Sequence, residues 1–207
     1  MIDIKILPRP EGLARDLLKD KEAARKAIKA TVGDLRSRGP AQVSKAVRGV
    51  YAIKAADINP NQGGRRLAGG MHVQARGESV DDFTLVYTGS PMTPTHFGMK
   101  PGAPPGGKRY TIKATIRKGA RKTIGHWAPK GRDHGRYARP SDSPFFLVSG
   151  NGGSTLPMQR HGGKLKAFRT VSVPQMVGND EVAEEAMSGL SELAQKRLEH
   201  HLRRYMK

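Results

Sequence analysis

Seven histidines are the first candidates for chemistry in this chain: His72, His96, His126, His134, His161, His200 and His201. A zinc site wants ligands four apart on one helix face, or a close pair answered by a distant pair. None of the seven shows that spacing. The adjacent His200-His201 would point different ways on a helix. Asp81-Asp82 is the other candidate, because phosphoryl transfer uses clustered carboxylates to hold Mg²⁺. A turn leading into Phe83 accounts for this pair more simply, since Asp commonly starts turns. Gly102 to Gly107, followed by Lys108-Arg109, is a loose likeness of a phosphate loop. It lacks the GxxxxGK[ST] pattern and the following helix whose N-terminus would hold the phosphate. Ser149 to Ser154 lacks the GxSxG spacing of a nucleophile elbow. No catalytic residue, cofactor or metal is expected, and the chain is read as a non-enzyme.

The strongest chemical signal is basic. Lys108 to Arg139 holds eleven Lys and Arg against one acid, with Tyr110, Trp127 and Tyr137 interleaved. Such a run suits a phosphate backbone with occasional base stacking. It suits equally a basic face docked on acidic neighbouring subunits. The residues singled out for these contacts are Lys118, Arg121, Lys122, Lys130, Arg132, Arg136 and Arg139.

These residues need elements to position them. Ala24, Ile28, Val32 and Leu35 form an apolar stripe that predicts a helix over residues 13–38, stopped by Gly39-Pro40. Val43, Val47 and Val50 predict a second, shorter helix. The period then falls to two. Met71, Val73 and Ala75, then Phe83, Leu85 and Tyr87, then Tyr110, Ile112, Ala114 and Ile116 alternate with polar residues. Leu165, Ala167, Val171 and Val173 do so less cleanly. The pattern predicts strands, expected to form one antiparallel sheet. Phe145 to Val148 reads as a short buried strand. Residues 89–109, with five prolines and five glycines, and 118–143 read as long loops. Val182, Ala186, Leu190, Ala194, Leu198 and Leu202 lie four apart and predict a C-terminal helix packed on the sheet. Asn179 or Asp180 is its cap. Acids in its first turns and Arg203, Arg204 and Lys207 at its end complement the helix dipole.

The expected fold is thus α+β: N-terminal helices, a mainly antiparallel sheet with long loops, and a long C-terminal helix. It is read as a single domain over 1–207, with a helical part (1–60), a basic sheet-and-loop part (61–177) and the terminal helix (178–207). The net charge of +19 over 207 residues points to a polyanionic partner or an acidic neighbour. With 13 Lys and Arg against 7 acids in residues 1–60, 19 against 5 in 61–177 and 5 against 6 in 178–207, the excess sits in the middle. The absence of cysteine rules out disulfides and thiolate chemistry. Met1 to Pro10 has no apolar run of signal-peptide length, and no stretch reaches membrane-span length. A soluble protein with no membrane partner is expected.

Four segments together resemble the minor tail protein Z family of long-tailed phages. The first is the basic N-terminal helix running into Tyr51-Ala52-Ile53-Lys54-Ala55-Ala56-Asp57-Ile58. The second is Ser90 to Gly98, ending in Phe97-Gly98. The third is Tyr110 to Thr123, ending in Lys118-Gly119-Ala120-Arg121-Lys122-Thr123. The fourth, the most specific, is Val171-Ser172-Val173-Pro174-Gln175-Met176 before a charged terminal helix. The likeness runs from about residue 20 to the end and lapses between Gly125 and Gly163, a stretch richer in Gly and Arg.

The resemblance implies a structural virion protein at the head-proximal end of a tail. It would complete the tail, take part in head–tail joining and place the DNA end. Its expected partners are copies of itself in a ring (a hexamer on a six-fold tail), tail tube or tail terminator proteins, head-connector proteins and the phage DNA end. Its expected place is the neck of the virion, after assembly in the host cytoplasm. In this reading Val182, Leu190 and Leu198 pack on the sheet. Pro174 opens the terminal segment, and Phe97-Gly98 marks a tight approach beside a neighbouring strand. The alternative reading is a general nucleic-acid-binding protein, ribosomal-like or nucleoid-associated, supported by charge and glycine content.

Overall fold

A computed structural model describes residues 21–61, 67–106, 108–127, 146–149, 155–161 and 164–206, and the backbone alone of 2–5. The fold is α+β, and its contacts divide the chain into two compact units. Unit 1 takes residues 1–50, 55–90 and 173–207; unit 2 takes 51–54 and 91–172. This partition does not follow the three sequential parts read from composition. The Tyr51–Ile58 motif is divided at Lys54, its first half belonging to unit 2.

Unit 1 is built on two long helices, α1 (Lys21–Val50) and, at the far end of the chain, a 26-residue helix, Asp180–Tyr205. Between them in sequence lie two short helices, α2 (Ala55–Ile58) and α3 (Val173–Val177), so the last is α4. Gly39-Pro40 does not end the first helix: α1 runs straight through it. Pro40 has no N–H for the Arg36 carbonyl, a loss of about 3 kcal/mol in a helix interior. The stripe Leu35, Gly39, Val43 and Val47 is buried on both sides of the proline. Burial of large apolar side chains contributes about 1.5–3 kcal/mol each, so packing outweighs the break. The predicted second helix is the same helix continued, and the predicted start at residues 13–20 lies outside the described residues.

Every stripe residue of α4 is buried: Val182, Ala186, Leu190, Ala194, Leu198 and Leu202. Their main partner is α1 rather than the sheet alone. Leu198 and Leu202 cluster with Ala27, and Gly189 lies against Gln42. Numbers rise along one helix as they fall along the other, so the pair is antiparallel. The sheet in this unit is β1 (Ile2–Lys5), β3 (Thr84–Thr88) and β2 (His72–Arg76), in that order and antiparallel. A Cβ on Gly39 would sit 3.2 Å from Leu190 Cδ2 and 3.2 Å from Leu85 Cδ1. The absent side chain lets the helix pair settle on the central strand. Leu85, Val86 and Tyr87 are all buried, so both faces of β3 are covered and its alternation is lost. Edge strand β2 keeps the predicted alternation.

Unit 2 holds two more antiparallel sheets, so the described strands form three small sheets where sequence predicts a single one. One is the hairpin β4 (Tyr110–Ala114) and β5 (Lys122–Trp127). β5 lies inside what sequence reads as a basic loop, because its short run of β-formers is interrupted by Gly125. The other sheet is β6 (Phe146–Ser149), β7 (Thr155–His161) and β8 (Lys164–Ala167). β7 holds Pro157 and is not legible as a strand. Val171 and Val173 do not extend β8; Val173 instead opens α3, where Pro174 takes an early helical position that needs no N–H. Buried Phe97, Met92, Ile112, Ala114 and Leu147 form this unit's core, with Tyr51 and Ile53.

Candidate functional site

Net charge separates the two units more sharply than position in sequence does. Unit 2 holds seventeen Lys and Arg against two acids, Asp133 and Asp142, a net of +15. Unit 1 holds twenty against sixteen, a net of +4. The candidate site is therefore the surface of unit 2, and its clearest described part is the β4–β5 hairpin.

Residues 117–120 turn the hairpin. Ala120 N–H donates to the Arg117 carbonyl at 3.4 Å, and Gly119 has φ 77°, a conformation that favours glycine. This turn presents Lys118, Arg121 and Lys122, all exposed. Arg117 is held differently: its backbone bridges Tyr51, and its guanidinium lies 5.6 Å over the Tyr51 ring. It anchors the turn from which its neighbours project.

A second basic feature is visible only in the fold. Lys100 and Lys113 are antiparallel partners, each backbone N–H donating to the other's carbonyl at 2.8 Å. Both side chains are exposed on one face. Like charges directly opposite in a ladder repel. The arrangement favours an anion shared between the two lysines. Sequence reading missed both residues; the alternation Tyr110, Ile112, Ala114 does place Lys113 outward, but nothing in the chain pairs it with Lys100.

Phe97 is the anchor of this face. It closes the short helical turn Pro94–Phe97, is 1% exposed, and its carbonyl accepts from Thr115 N–H at 3.0 Å. Gly98 follows at φ 61°. A Cβ there would meet nothing within 4 Å, so Gly98 is needed for its backbone conformation and not for close approach.

The aromatics are committed internally. Tyr110 and Trp127 stack on each other at 5.2 Å and 21°. The Tyr110 hydroxyl accepts from Leu147 N–H at 2.9 Å, tying the hairpin to β6. Burial raises the Tyr110 pKa, and that hydrogen bond opposes the rise. Base stacking on this pair would cost an existing contact. Tyr137, Lys130, Arg132, Arg136 and Arg139 lie outside the described residues.

The remaining singled-out residues, Pro174, Val182, Leu190 and Leu198, are buried in unit 1, where they hold the helical layer together. Among the described residues no group of three His, Asp or Glu is placed to hold a metal ion. Asp82 closes a turn: it accepts from Ser79 N–H and Oγ–H, each at 2.7 Å, and these bonds lower its pKa. Gly77 shares that turn, its φ of 96° and a would-be Cβ only 2.4 Å from the Asp82 carbonyl oxygen excluding other residues.

Comparison with known protein families, curated proteins and solved structures finds no match for this chain. The site must be judged by its geometry. What that geometry offers among the described residues is exposed positive charge on a braced hairpin, with no base-reading element there. No helix among the described residues is long and apolar enough to cross a membrane.

Proposed function

We propose that this chain is a structural protein of a phage tail, a ring-forming subunit at the head-proximal end that takes part in tail completion and head–tail joining. The observation that carries the reading is the division of labour between the units. One is nearly balanced in charge and built on a buried helix pair. The other carries a net +15 and presents Lys118, Arg121 and Lys122 from a braced turn. A scaffold joined to a basic face suits a subunit that holds its neighbours while meeting DNA or an acidic ring. The order of the four motifs, Tyr51–Ile58, Ser90–Gly98, Tyr110–Thr123 and Val171–Met176, supports the same assignment.

Cryo-electron microscopy of intact particles encoding this chain tests it. The expected result is a ring of this subunit between tail tube and head connector. Particles that lack the chain, by density and by mass spectrometry, would overturn the reading. The charge of unit 2 also favours a second reading, a general nucleic-acid-binding protein. That protein would bind free duplex tightly, with affinity falling steeply as salt rises. The tail reading expects only weak binding to free DNA.

A further inference from the structure

The two long helices of unit 1 leave a groove along one side of their contact. Its volume is about 490 Å³, within the range of small-molecule sites. Arg38 and Lys45 line it from α1, and Lys196 and Arg197 line it from α4. Glu192 is the single acid among the described lining residues. Asp34 holds two of the cations, the Nε atoms of Arg38 and Arg197 lying 3.5 and 3.6 Å from its carboxylate. That contact fixes both guanidinium groups and leaves donors unused, since each carries five N–H. Lys45 and Lys196 are exposed and make no ion pair or hydrogen bond among the described residues. With Asp34 counted, four cations stand against two acids.

The floor of the groove includes Gly189, in the interior of α4. Glycine inside a helix is destabilising relative to alanine. The usual reasons for accepting that cost are missing here. Gly189 does not have positive φ. A Cβ on it would lie 3.5 Å from Gln42 Oε1, an ordinary contact with the end of a flexible side chain. Gly39 is the contrast, its would-be Cβ pressed between two buried leucines. At Gly189 the missing side chain leaves the groove open instead. Among the described lining residues there is no aromatic ring, and Leu193 and Ala41 are the only apolar side chains.

We propose that this groove binds a short chain of phosphates, such as inorganic triphosphate or the triphosphate of a nucleotide. Guanidinium forks and ammonium groups both suit phosphate oxygens. Arg38 and Lys45 are two helical turns apart, roughly 10 Å along α1. Cations spread over that length meet a linked row of phosphates better than a single one. An acidic peptide finds little apolar surface here, and a base finds no ring to stack on. The groove therefore reads the phosphates alone, and ATP and inorganic triphosphate bind alike. It lies wholly in unit 1, separate from the hairpin residues Lys118, Arg121 and Lys122, and does not rest on the tail reading.

Isothermal titration calorimetry of the full chain with inorganic triphosphate provides the test, at low ionic strength where exposed charges are least screened. The wild type is expected to show a saturable site. K45Q/K196Q should weaken it at least about tenfold, as loss of two charge-assisted contacts does. Both lysines are exposed, which spares the fold. K118Q/K122Q removes the same charge from unit 2 and should leave the affinity unchanged. Gly189→Met should block the groove while the melting temperature without ligand stays at or above that of the wild type. No saturable binding by the wild type, equal losses in the two double variants, or undiminished binding by Gly189→Met would each overturn the proposal. So would a short single-stranded oligonucleotide whose binding depends on Lys45 and Lys196 when that of triphosphate does not.

Discussion

Tyr87 illustrates how a single side chain can be both necessary and ill-served. It is the largest fully buried side chain among the described residues, on β3 and 1% exposed. Its hydroxyl has no hydrogen-bond partner among the described residues. A buried polar group without a partner costs about 1–3 kcal/mol, while the ring contributes packing. Tyr87→Phe keeps the ring and removes the orphan. Its melting temperature should equal or exceed that of the wild type, by up to about 1 kcal/mol of added stability. Burial also pushes the Tyr87 pKa well above its ordinary 10. A raised folded-state pKa contributes stability below the unfolded value and loses it as pH rises. Alkaline unfolding should therefore begin above about pH 10 and be reduced in Tyr87→Phe, as circular dichroism against pH will show.

At the scale of elements, the α1–α4 pair determines how much the fold tolerates. Two glycines of the same helix should respond oppositely to alanine. Gly33 is exposed with nothing within 4 Å of a new Cβ. Gly33→Ala should gain about 0.5–1 kcal/mol from helix propensity. Gly39→Ala gains the same propensity but presses on Leu190 and Leu85, both 0% exposed. Overpacking costs about 1–3 kcal/mol, so the net change should be a loss. Thermal melts of the two variants should move in opposite directions. The pair is also joined by polar contacts: Asp34 of α1 lies 3.0 Å from His201 Nε2 and 3.6 Å from Arg197 Nε of α4, with Arg38 Nε at 3.5 Å. All but Arg38 are largely buried. Asp34→Ala leaves basic groups without their acceptor and should destabilise by about 1–3 kcal/mol in chemical denaturation. A smaller loss than Leu190→Ala, about 2–5 kcal/mol, is expected.

For the whole molecule the governing fact is uneven charge. A net +15 on one unit repels itself, and salt screens that repulsion within about 10 Å at 0.1 M. The melting temperature should rise as salt increases from about 10 mM toward 0.1 M. A falling or flat profile would mean that the basic groups are already paired within the chain. The same charge explains what composition could and could not say. A charge of this sign suits DNA and an acidic protein face alike, because both satisfy lysines equally.

Local periodicity was sufficient wherever burial follows one face. The α4 stripe, the alternation of β2 and the outward Lys113 were all legible, because a helix or edge strand with one wet side writes its geometry into residue spacing. The α+β class follows from the same patterns. The turn at Asp82 was legible too, as a short-range competition between a carboxylate and nearby N–H groups. Tertiary structure decided the rest. Pro40 sits inside α1 because buried residues on both sides outweigh a local break. β5 and β7 form because partners supply hydrogen bonds that their own residues do not signal. The three separate sheets and the Lys100–Lys113 pair depend on register between distant segments. Spacing along a chain records which side of an element is buried. It does not record what lies opposite, and in this protein what lies opposite decides which faces are covered.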